Sequence, residues 1–395
     1  MSLEIDRGAA GLQHAASLVA GWVDAGLLPG AALVVSRGGT VIAEGYWGFA
    51  DLASRRPAGP DTLWSIASIT KPITAATVMS CVDKGLASID APIIEALPEF
   101  GTASPRGEVT LRHLLTHTSG LAGFSVDNLE LRRRHQPIED FIASFLKEQL
   151  HFQPGKWHLY SSVGFGLAAE ISGRALIAAG VARDGVTPVR AHEAATLDLL
   201  ARLGVTDAAL RPDDDQQRRC VWVESTGQEG LDWEIGNSPY YRSLGMPWGG
   251  LFMTARGVMT VIESFLPSRR AATSRVLSPA AIEEMTRVQA SPPEAPVTVA
   301  PAQRDVTWDP TSEPRSSVPW GLGWEVKGDA PGDYFGTRAH PTTFGHFGAS
   351  GTSTWADPEE DLAVVLLTNR AWVSRWAVQE RRAARLADAV VSGLD

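Results

Sequence analysis

The sequence predicts an α/β (α+β) fold, with strands at both ends of the chain and helices between them. Residues 31–36 and 41–46 are apolar and β-rich, and they flank a Gly-Gly pair, which is the pattern of a β-hairpin. Residues 362–367 form a continuous apolar run, as expected of a buried central strand. Residues 85–236 favour helices. Both ends of the chain are therefore predicted to build one sheet.

The simplest domain organisation is one α/β lobe formed by both termini, with a mostly helical lobe inserted into it. The α/β lobe is predicted to comprise residues 1–84 and 237–395, and the helical lobe residues 85–236. A chain of 395 residues is long enough for two such lobes. We expect the functional site in the cleft between them, where ligand sites often form.

Periodicity and composition locate the individual elements. Helices are predicted over residues 12–23, 111–115, 138–150, 164–177, 193–203, 249–265 and 372–391, and further strands over 323–326, 351–356 and 362–368. Residues 291–319 hold seven prolines and no clear period, so they are predicted to form a long ordered loop.

Composition excludes several classes of protein. A formal net charge of −10 disfavours a nucleic-acid partner, because phosphate binding needs a basic surface. Residues 15–35 are apolar, but Asp24, Gly26 and Pro29 interrupt them, so no membrane span is predicted. The two cysteines cannot form a disulfide framework. The N-terminus shows no signal-peptide pattern, so a cytoplasmic location is expected. The oligomeric state is left open.

A Ser-x-x-Lys sequence is the first candidate for chemistry. Ser68 and Lys71 are three residues apart at the predicted start of a helix, so their side chains share one face. Pro72 supports this placement, because proline fits the first helical turn. A lysine beside a serine hydroxyl can take its proton, which is what a serine nucleophile needs. The spacing alone is a weak signal.

A tyrosine at a predicted loop–helix junction is the second candidate. Tyr160 follows a turn and precedes a glycine-spaced helix that begins near Gly164. A nearby lysine ammonium favours the phenolate form, so this side chain could exchange a proton with a leaving group. The alternative is a half-buried aromatic residue with a hydrogen-bonded hydroxyl, which sequence position alone favours.

A glycine-rich segment before a predicted strand is the third candidate. Residues 345–351 contain three glycines, which indicates close approach of the backbone to a ligand. A backbone N–H here could join that of Ser68 in an oxyanion hole. The alternative is a tight turn before an edge strand.

The three segments, their order and the sequence around them resemble the serine β-lactamase and penicillin-binding superfamily. The resemblance is to the class C β-lactamase-like branch, which includes family VIII carboxylesterases. It extends over nearly the whole chain and also rests on residues 109–121, 247–256, 321–324 and 345–369. It implies a β-lactamase-like fold, with an antiparallel sheet flanked by helices and an inserted, mostly helical lobe.

The resemblance also implies roles for particular residues. Ser68 attacks the carbonyl carbon and becomes acylated, Lys71 and Tyr160 share the general-base work, and Tyr160 protonates the leaving group. The backbone N–H groups of Ser68 and Ala349 hold the oxyanion. The run His346-Phe347-Gly348 takes the place of the family's Lys-Thr-Gly, so that His346 and Gly348 line the substrate site. No cofactor is implied.

Two departures from the family pattern shift the expected substrate. Ser162 stands where the family usually has asparagine, and a hydroxyl cannot supply both an amide donor and an amide acceptor. His346 stands where the family has lysine, and histidine is mostly neutral near neutral pH. Both weaken recognition of a β-lactam and leave ester cleavage intact. The expected function is hydrolysis of small carboxylic esters. The alternatives are a β-lactamase, D-amino-acid peptidase or acyltransferase on the same residues, or a non-catalytic binding protein of this fold.

Other sequence signals are weaker. His113 and His117 have the spacing of a helical metal pair, but no glutamate adjoins His113 and no third ligand is evident, so no metal is expected. The absence of Gly-x-Ser-x-Gly disfavours an α/β-hydrolase.

Overall fold

The structure is a computed structural model of the chain. It describes residues 2–5, 11–269, 273, 276–295, 297–299, 306–308, 319–329, 334–371 and 376–394, with the backbone alone for residues 2–3, 297–299, 306–308 and 376–380. The strands are β1 (Ser2–Ile5), β2 (Gly30–Arg37), β3 (Thr40–Asp51), β4 (Arg56–Pro57), β5 (Trp64–Ser65), β6 (Ala208–Ala209), β7 (Phe252–Met253), β8 (Val297–Val299), β9 (Val306–Trp308), β10 (Glu325–Val326), β11 (Phe344–Gly348), β12 (Thr352–Asp357) and β13 (Leu362–Thr368).

Helices fill most of the remaining chain. They are α1 (Gln13–Asp24), α2 (Thr70–Asp83), α3 (Leu111–Leu115), α4 (Asn128–Arg133), α5 (Ile138–Phe145), α6 (Ser162–Ala178), α7 (Pro188–Arg202), α8 (Asp214–Arg219), α9 (Pro239–Leu244), α10 (Ala255–Glu263), α11 (Pro279–Thr286) and α12 (Trp376–Ser392). In the part of the chain that is described, no helix is both long and apolar enough to cross a lipid bilayer.

The main sheet is antiparallel and joins the two ends of the chain. Its strands lie in the order β1-β3-β2-β13-β12-β11-β10, and β4 pairs with β3. The predicted hairpin is confirmed, with Arg37 of β2 opposite Thr40 of β3. The predicted central strand is also confirmed, because β13 is buried along its whole length between β2 and β12. The lobe boundaries inferred from the sequence stay a prediction.

Apolar side chains cover both faces of this sheet. Along β2, Ala32 and Val34 belong to a large cluster with residues of α2, α6 and α10. Leu33 and Val35 point the other way and belong to a second cluster with residues of α1 and α12. This alternation is the period of two that a strand imposes on its side chains. The α+β fold predicted from the sequence is thus confirmed, with helices on both faces of an antiparallel sheet.

Several predicted element boundaries need correction, among them the helix predicted over 193–203, which begins at Pro188. The helix predicted over 138–150 ends at Phe145, because the Arg106 guanidinium binds the carbonyl oxygens of Leu146 and Glu148 outside any helix. The helix predicted over 249–265 begins at Ala255, where the Thr254 hydroxyl caps it. Within the predicted loop 291–319, β8 and β9 pair as two short strands, and residues 296, 300–305 and 309–318 lie outside the described part. The predicted helix 372–391 is observed from Trp376, since 372–375 also lie outside it.

Candidate active site

Ser68 lies in a tight turn at the start of a buried helix. The 3₁₀ turn Ala67–Ile69 leads directly into α2, and Ser68 is partly exposed within it. Ala67 has a φ of 46°, in the left-handed region that non-glycine residues rarely adopt. Such strain persists only where the surroundings impose it, and it is frequent at functional sites. Here it turns the chain sharply into the helix on which Ser68 is presented.

Lys71 contacts Ser68 from the first turn of α2. Its Nζ lies 3.1 Å from the Ser68 Oγ, as the spacing of three residues predicts. The same Nζ donates a hydrogen bond of 2.8 Å to the carbonyl oxygen of Trp248. Only 1% of the Lys71 surface is exposed. The amine is therefore held against the hydroxyl by the second bond instead of moving freely in solvent.

The carbonyl of Trp248 is aimed at Lys71 by a tight turn. The N–H groups of Gly249 and Gly250 both donate to the carbonyl oxygen of Met246, at 3.2 and 2.8 Å. A Cβ on Gly250 would lie 2.7 Å from the Met246 backbone nitrogen, so this turn needs glycine. The hydroxyl of Thr74, one turn after Lys71, donates to the neighbouring carbonyl of Pro247 at 2.5 Å. The turn and helix α2 thus form one hydrogen-bonded unit.

Tyr160 approaches the same amine from a different element. It precedes Ser161, whose hydroxyl caps α6 by accepting the Gly164 N–H at 3.1 Å. The Tyr160 ring centroid lies 4.7 Å from the Nζ of Lys71. The structure therefore brings Ser68, Lys71 and Tyr160 together. Ser162 is the first residue of α6 and is buried, and its predicted substrate-binding role stays a prediction.

The turn between β11 and β12 packs directly against the segment that precedes Ser68. A Cβ added to Gly348, the last residue of β11, would lie only 2.4 Å from the carbonyl oxygen of Ile66. The hydroxyl of Ser350 donates to the carbonyl oxygen of Ser65. Ala349 lies between these two residues, so its backbone is held beside the Ser68 turn. The pairing of their N–H groups in an oxyanion hole stays a prediction.

His346 is buried within β11 and is uncharged. Its Nδ1–H donates to the carbonyl oxygen of Phe347 at 2.7 Å, so a lone pair remains on Nε2. Burial, with a smaller contribution from the nearby Lys71, lowers the pKa of His346 to about 3. Its Nε2 has no hydrogen-bond partner among the described residues. This position therefore carries no positive charge at neutral pH, unlike a lysine.

Sequence reasoning missed two parts of this site. The Trp248 carbonyl has no side-chain signature, and the glycine pair after it was predicted to begin a helix. His117 drew attention only as half of a metal pair, yet its ring stacks on Tyr160 with centroids 4.3 Å apart. Within the described part of the chain, no three His, Cys, Asp or Glu side chains are grouped so as to hold a metal ion.

Comparison with known proteins identifies the family. The family model described as Beta-lactamase matches residues 15–389. The chain belongs to the beta-lactamase family. Esterase EstB of Burkholderia gladioli is similar to it, with 28% identity over 379 residues that cover 87% of each chain.

Two solved structures share the fold. A penicillin-binding protein homolog from Caulobacter crescentus has a TM-score of 0.74 at 20% identity, covering 100% of both chains. A family VIII carboxylesterase has a TM-score of 0.73 at 19% identity, covering 98% of this chain and 100% of that one. The family, the β-lactamase-like fold and the enzyme class of serine hydrolase, all predicted from the sequence, are confirmed.

Proposed function

We propose that this protein hydrolyses small carboxylic esters through an acyl-enzyme on Ser68. The observation that carries the proposal is the contact of the Lys71 Nζ with the Ser68 hydroxyl, with the Tyr160 ring beside the same amine. A serine becomes a nucleophile when an adjacent group takes its proton. The names of Esterase EstB and of the family VIII carboxylesterase agree with this reaction class.

The reaction follows from these positions. The Ser68 Oγ attacks the ester carbonyl carbon while Lys71, in its unprotonated form, takes the hydroxyl proton. The oxyanion is held by the backbone N–H groups of Ser68 and Ala349. The C–O bond to the alcohol breaks as Tyr160 donates a proton to the leaving oxygen, and Lys71 reprotonates Tyr160. Water, activated by the same two groups, then attacks the acyl carbon and releases the acid and Ser68.

The substrate preference follows from the neutral state of His346. A β-lactam presents a carboxylate, and a charge-assisted hydrogen bond to it contributes about 1.5–3 kcal/mol where a cation is present. Burial holds the pKa of His346 at about 3, so that cation is missing here. A simple ester has no such carboxylate, so the missing cation does not weaken its binding. The expected cytoplasmic location is part of this proposal and stays untested.

Parallel assays test the proposal. p-Nitrophenyl butyrate, nitrocefin and a fluorophosphonate probe are given to the wild type, to Ser68→Ala and to Ser17→Ala, an exposed serine of α1. We expect kcat/KM for the ester to exceed that for nitrocefin by about 10–100-fold. Ser68→Ala should lose ester turnover and probe labelling, while Ser17→Ala keeps both. Faster turnover of nitrocefin would contradict the ester preference, and activity of Ser68→Ala would contradict the mechanism.

A further inference from the structure

His117 occupies an unusual position directly behind Tyr160. It follows α3, is fully buried and has a φ of 59°. Left-handed backbone is uncommon for residues other than glycine, although histidine is among those that adopt it more often. The His117 ring lies nearly parallel to the Tyr160 ring, at an interplanar angle of 30° and a centroid distance of 4.3 Å. The backbone conformation therefore directs this ring onto the phenol.

His117 also holds the backbone on both sides of Tyr160. Its carbonyl oxygen accepts the N–H of Leu159, and its ring Nδ1 accepts the N–H of Ser161, both at 2.9 Å. The residues before and after Tyr160 are therefore both hydrogen-bonded to His117, and the Tyr160 ring stacks on the ring of that same residue.

We propose that His117 is the positioning residue for Tyr160, and that it sets the place of the phenol beside Lys71. The inference deepens the proposed function and rests on it. His117 acts through two features that can be separated: the acceptor at Nδ1, which fixes the Ser161 backbone, and the ring, which fixes the plane of the phenol. An error of about 1 Å in the position of a reacting group can reduce a rate about 100-fold.

The surroundings keep the acceptor available. The edge of the Trp320 ring packs on His117 at 4.6 Å between centroids, and Phe165 packs at 5.1 Å. Besides the Tyr160 phenol, the titratable groups of the described chain that act on it are Lys71, His158 and His346. Burial holds the pKa of His117 well below its ordinary value, and the other three groups lower it further. Nδ1 thus keeps its lone pair, which protonation would replace with a hydrogen pointing at the Ser161 N–H.

A second buried histidine provides a matched control. His192 of α7 is also fully buried, and its Nδ1 is hydrogen-bonded to a serine, the Ser172 hydroxyl, at 2.7 Å. Its hydrogen bonds are with Ser172 of α6 and Thr196 of α7, so they join two regular helices. Substitution of His192 therefore measures the loss of folding stability that follows from removing a buried, hydrogen-bonded histidine outside the candidate site.

The test compares three variants by their rate of fluorophosphonate labelling and by kcat/KM for p-nitrophenyl butyrate. His117→Leu removes the acceptor, and we expect both rates to fall about 30-fold. In His117→Asn the amide oxygen takes the place of Nδ1 and asparagine tolerates the left-handed backbone, so about fivefold of that loss should return. His192→Leu should lower thermal stability and leave the rates of the folded enzyme within about twofold of wild type.

A double-mutant cycle with Tyr160→Phe decides whether His117 acts through Tyr160. If it does, His117→Leu slows the Tyr160→Phe enzyme by less than about twofold, because the phenol it positions is gone. Additive losses, or an unchanged rate in His117→Leu, overturn the inference. If His117→Leu does not fold, His117→Gln replaces it, since its oxygen lies one bond further along the side chain. Labelling that persists in Ser68→Ala overturns the proposed function instead, so the two failures are distinguishable.

Discussion

The two sides of the candidate site are positioned by different means. Ser68 lies in the 3₁₀ turn that leads into α2, and Lys71 lies in the first turn of α2. Their contact follows from a spacing of three residues. Tyr160 and Ala349 come from segments far along the chain, and they are placed by packing, by His117 and by the bonds to residues 65–66. The local pair is thus resistant to small changes elsewhere, whereas the long-range partners depend on contacts that single substitutions can remove.

The contact between Ser68 and Lys71 is tested by removing the Lys71 amine, which is the proposed base. Lys71→Met keeps the length of the side chain but loses the amine, and we expect acylation of Ser68 to slow about 10³-fold. Lys84→Met, at the exposed end of the same helix, is the matched control and should keep the wild-type rate. Stopped-flow measurement of p-nitrophenol release gives both rates. A Lys71→Met enzyme within about tenfold of wild type would show that another group takes the Ser68 proton.

The long-range side is tested at the contact between β11 and the Ser68 turn. In Gly348→Ala the new Cβ would lie 2.4 Å from the Ile66 carbonyl oxygen, so the turn that carries Ala349 must move away. Loss of one oxyanion donor reduces rates by about 10²–10³-fold, and we expect kcat to fall by that amount.

Gly21→Ala serves as the control for this substitution, because a Cβ there meets nothing within 4 Å. It should melt at or slightly above the wild-type temperature with unchanged kcat. A Gly348→Ala enzyme with wild-type kcat would mean that the close approach of β11 has no part in the reaction.

Substrate choice is expected to respond to the charge at position 346. His346→Lys places an amine at this position, and we expect the ratio of nitrocefin to ester turnover to rise about tenfold. His346→Gln, which is neutral, should leave the ratio unchanged. Because a lysine here would be buried near Lys71, thermal melts of both variants accompany the assays. If the ratio of nitrocefin to ester turnover is the same in all three enzymes, His346 does not determine the substrate preference.

Three buried histidines, two at the candidate site and one away from it, predict acid instability. Burial lowers the pKa of His158, His192 and His346 to about 3, whereas an exposed histidine has a value near 6.5. Below about pH 6.5 the unfolded chain binds protons that the folded chain does not, so stability is lost as the pH falls towards about 3. Each histidine contributes about 1.4 kcal/mol per pH unit within that window.

Urea unfolding across this pH range measures the effect. His192→Asn, away from the candidate site, should flatten the slope of unfolding free energy against pH by about one proton. A slope that is the same in this variant and in the wild type would contradict the assignment of His192 as a neutral buried group.

The features that could be predicted from the sequence are those that depend on neighbouring residues, and the features that could not are those that depend on long-range packing. Local signals located Ser68, Lys71, the hairpin and the strand Leu362–Thr368, because helix spacing, glycine turns and apolar runs are encoded by adjacent residues. The role of the Trp248 carbonyl could not be predicted, since a backbone acceptor depends on how distant segments pack. His117 had the spacing of a metal ligand, and only the fold shows that its Nδ1 faces the Ser161 N–H.

The central claim is that Ser68 is the residue that becomes acylated. The most direct measurement is peptide mass spectrometry of the enzyme after reaction with a fluorophosphonate probe, with Ser68→Ala and Ser162→Ala treated in parallel. The account predicts a single adduct on Ser68 in the wild type and in Ser162→Ala, and no adduct in Ser68→Ala. An adduct on another residue, or ester hydrolysis that survives in Ser68→Ala, would contradict it.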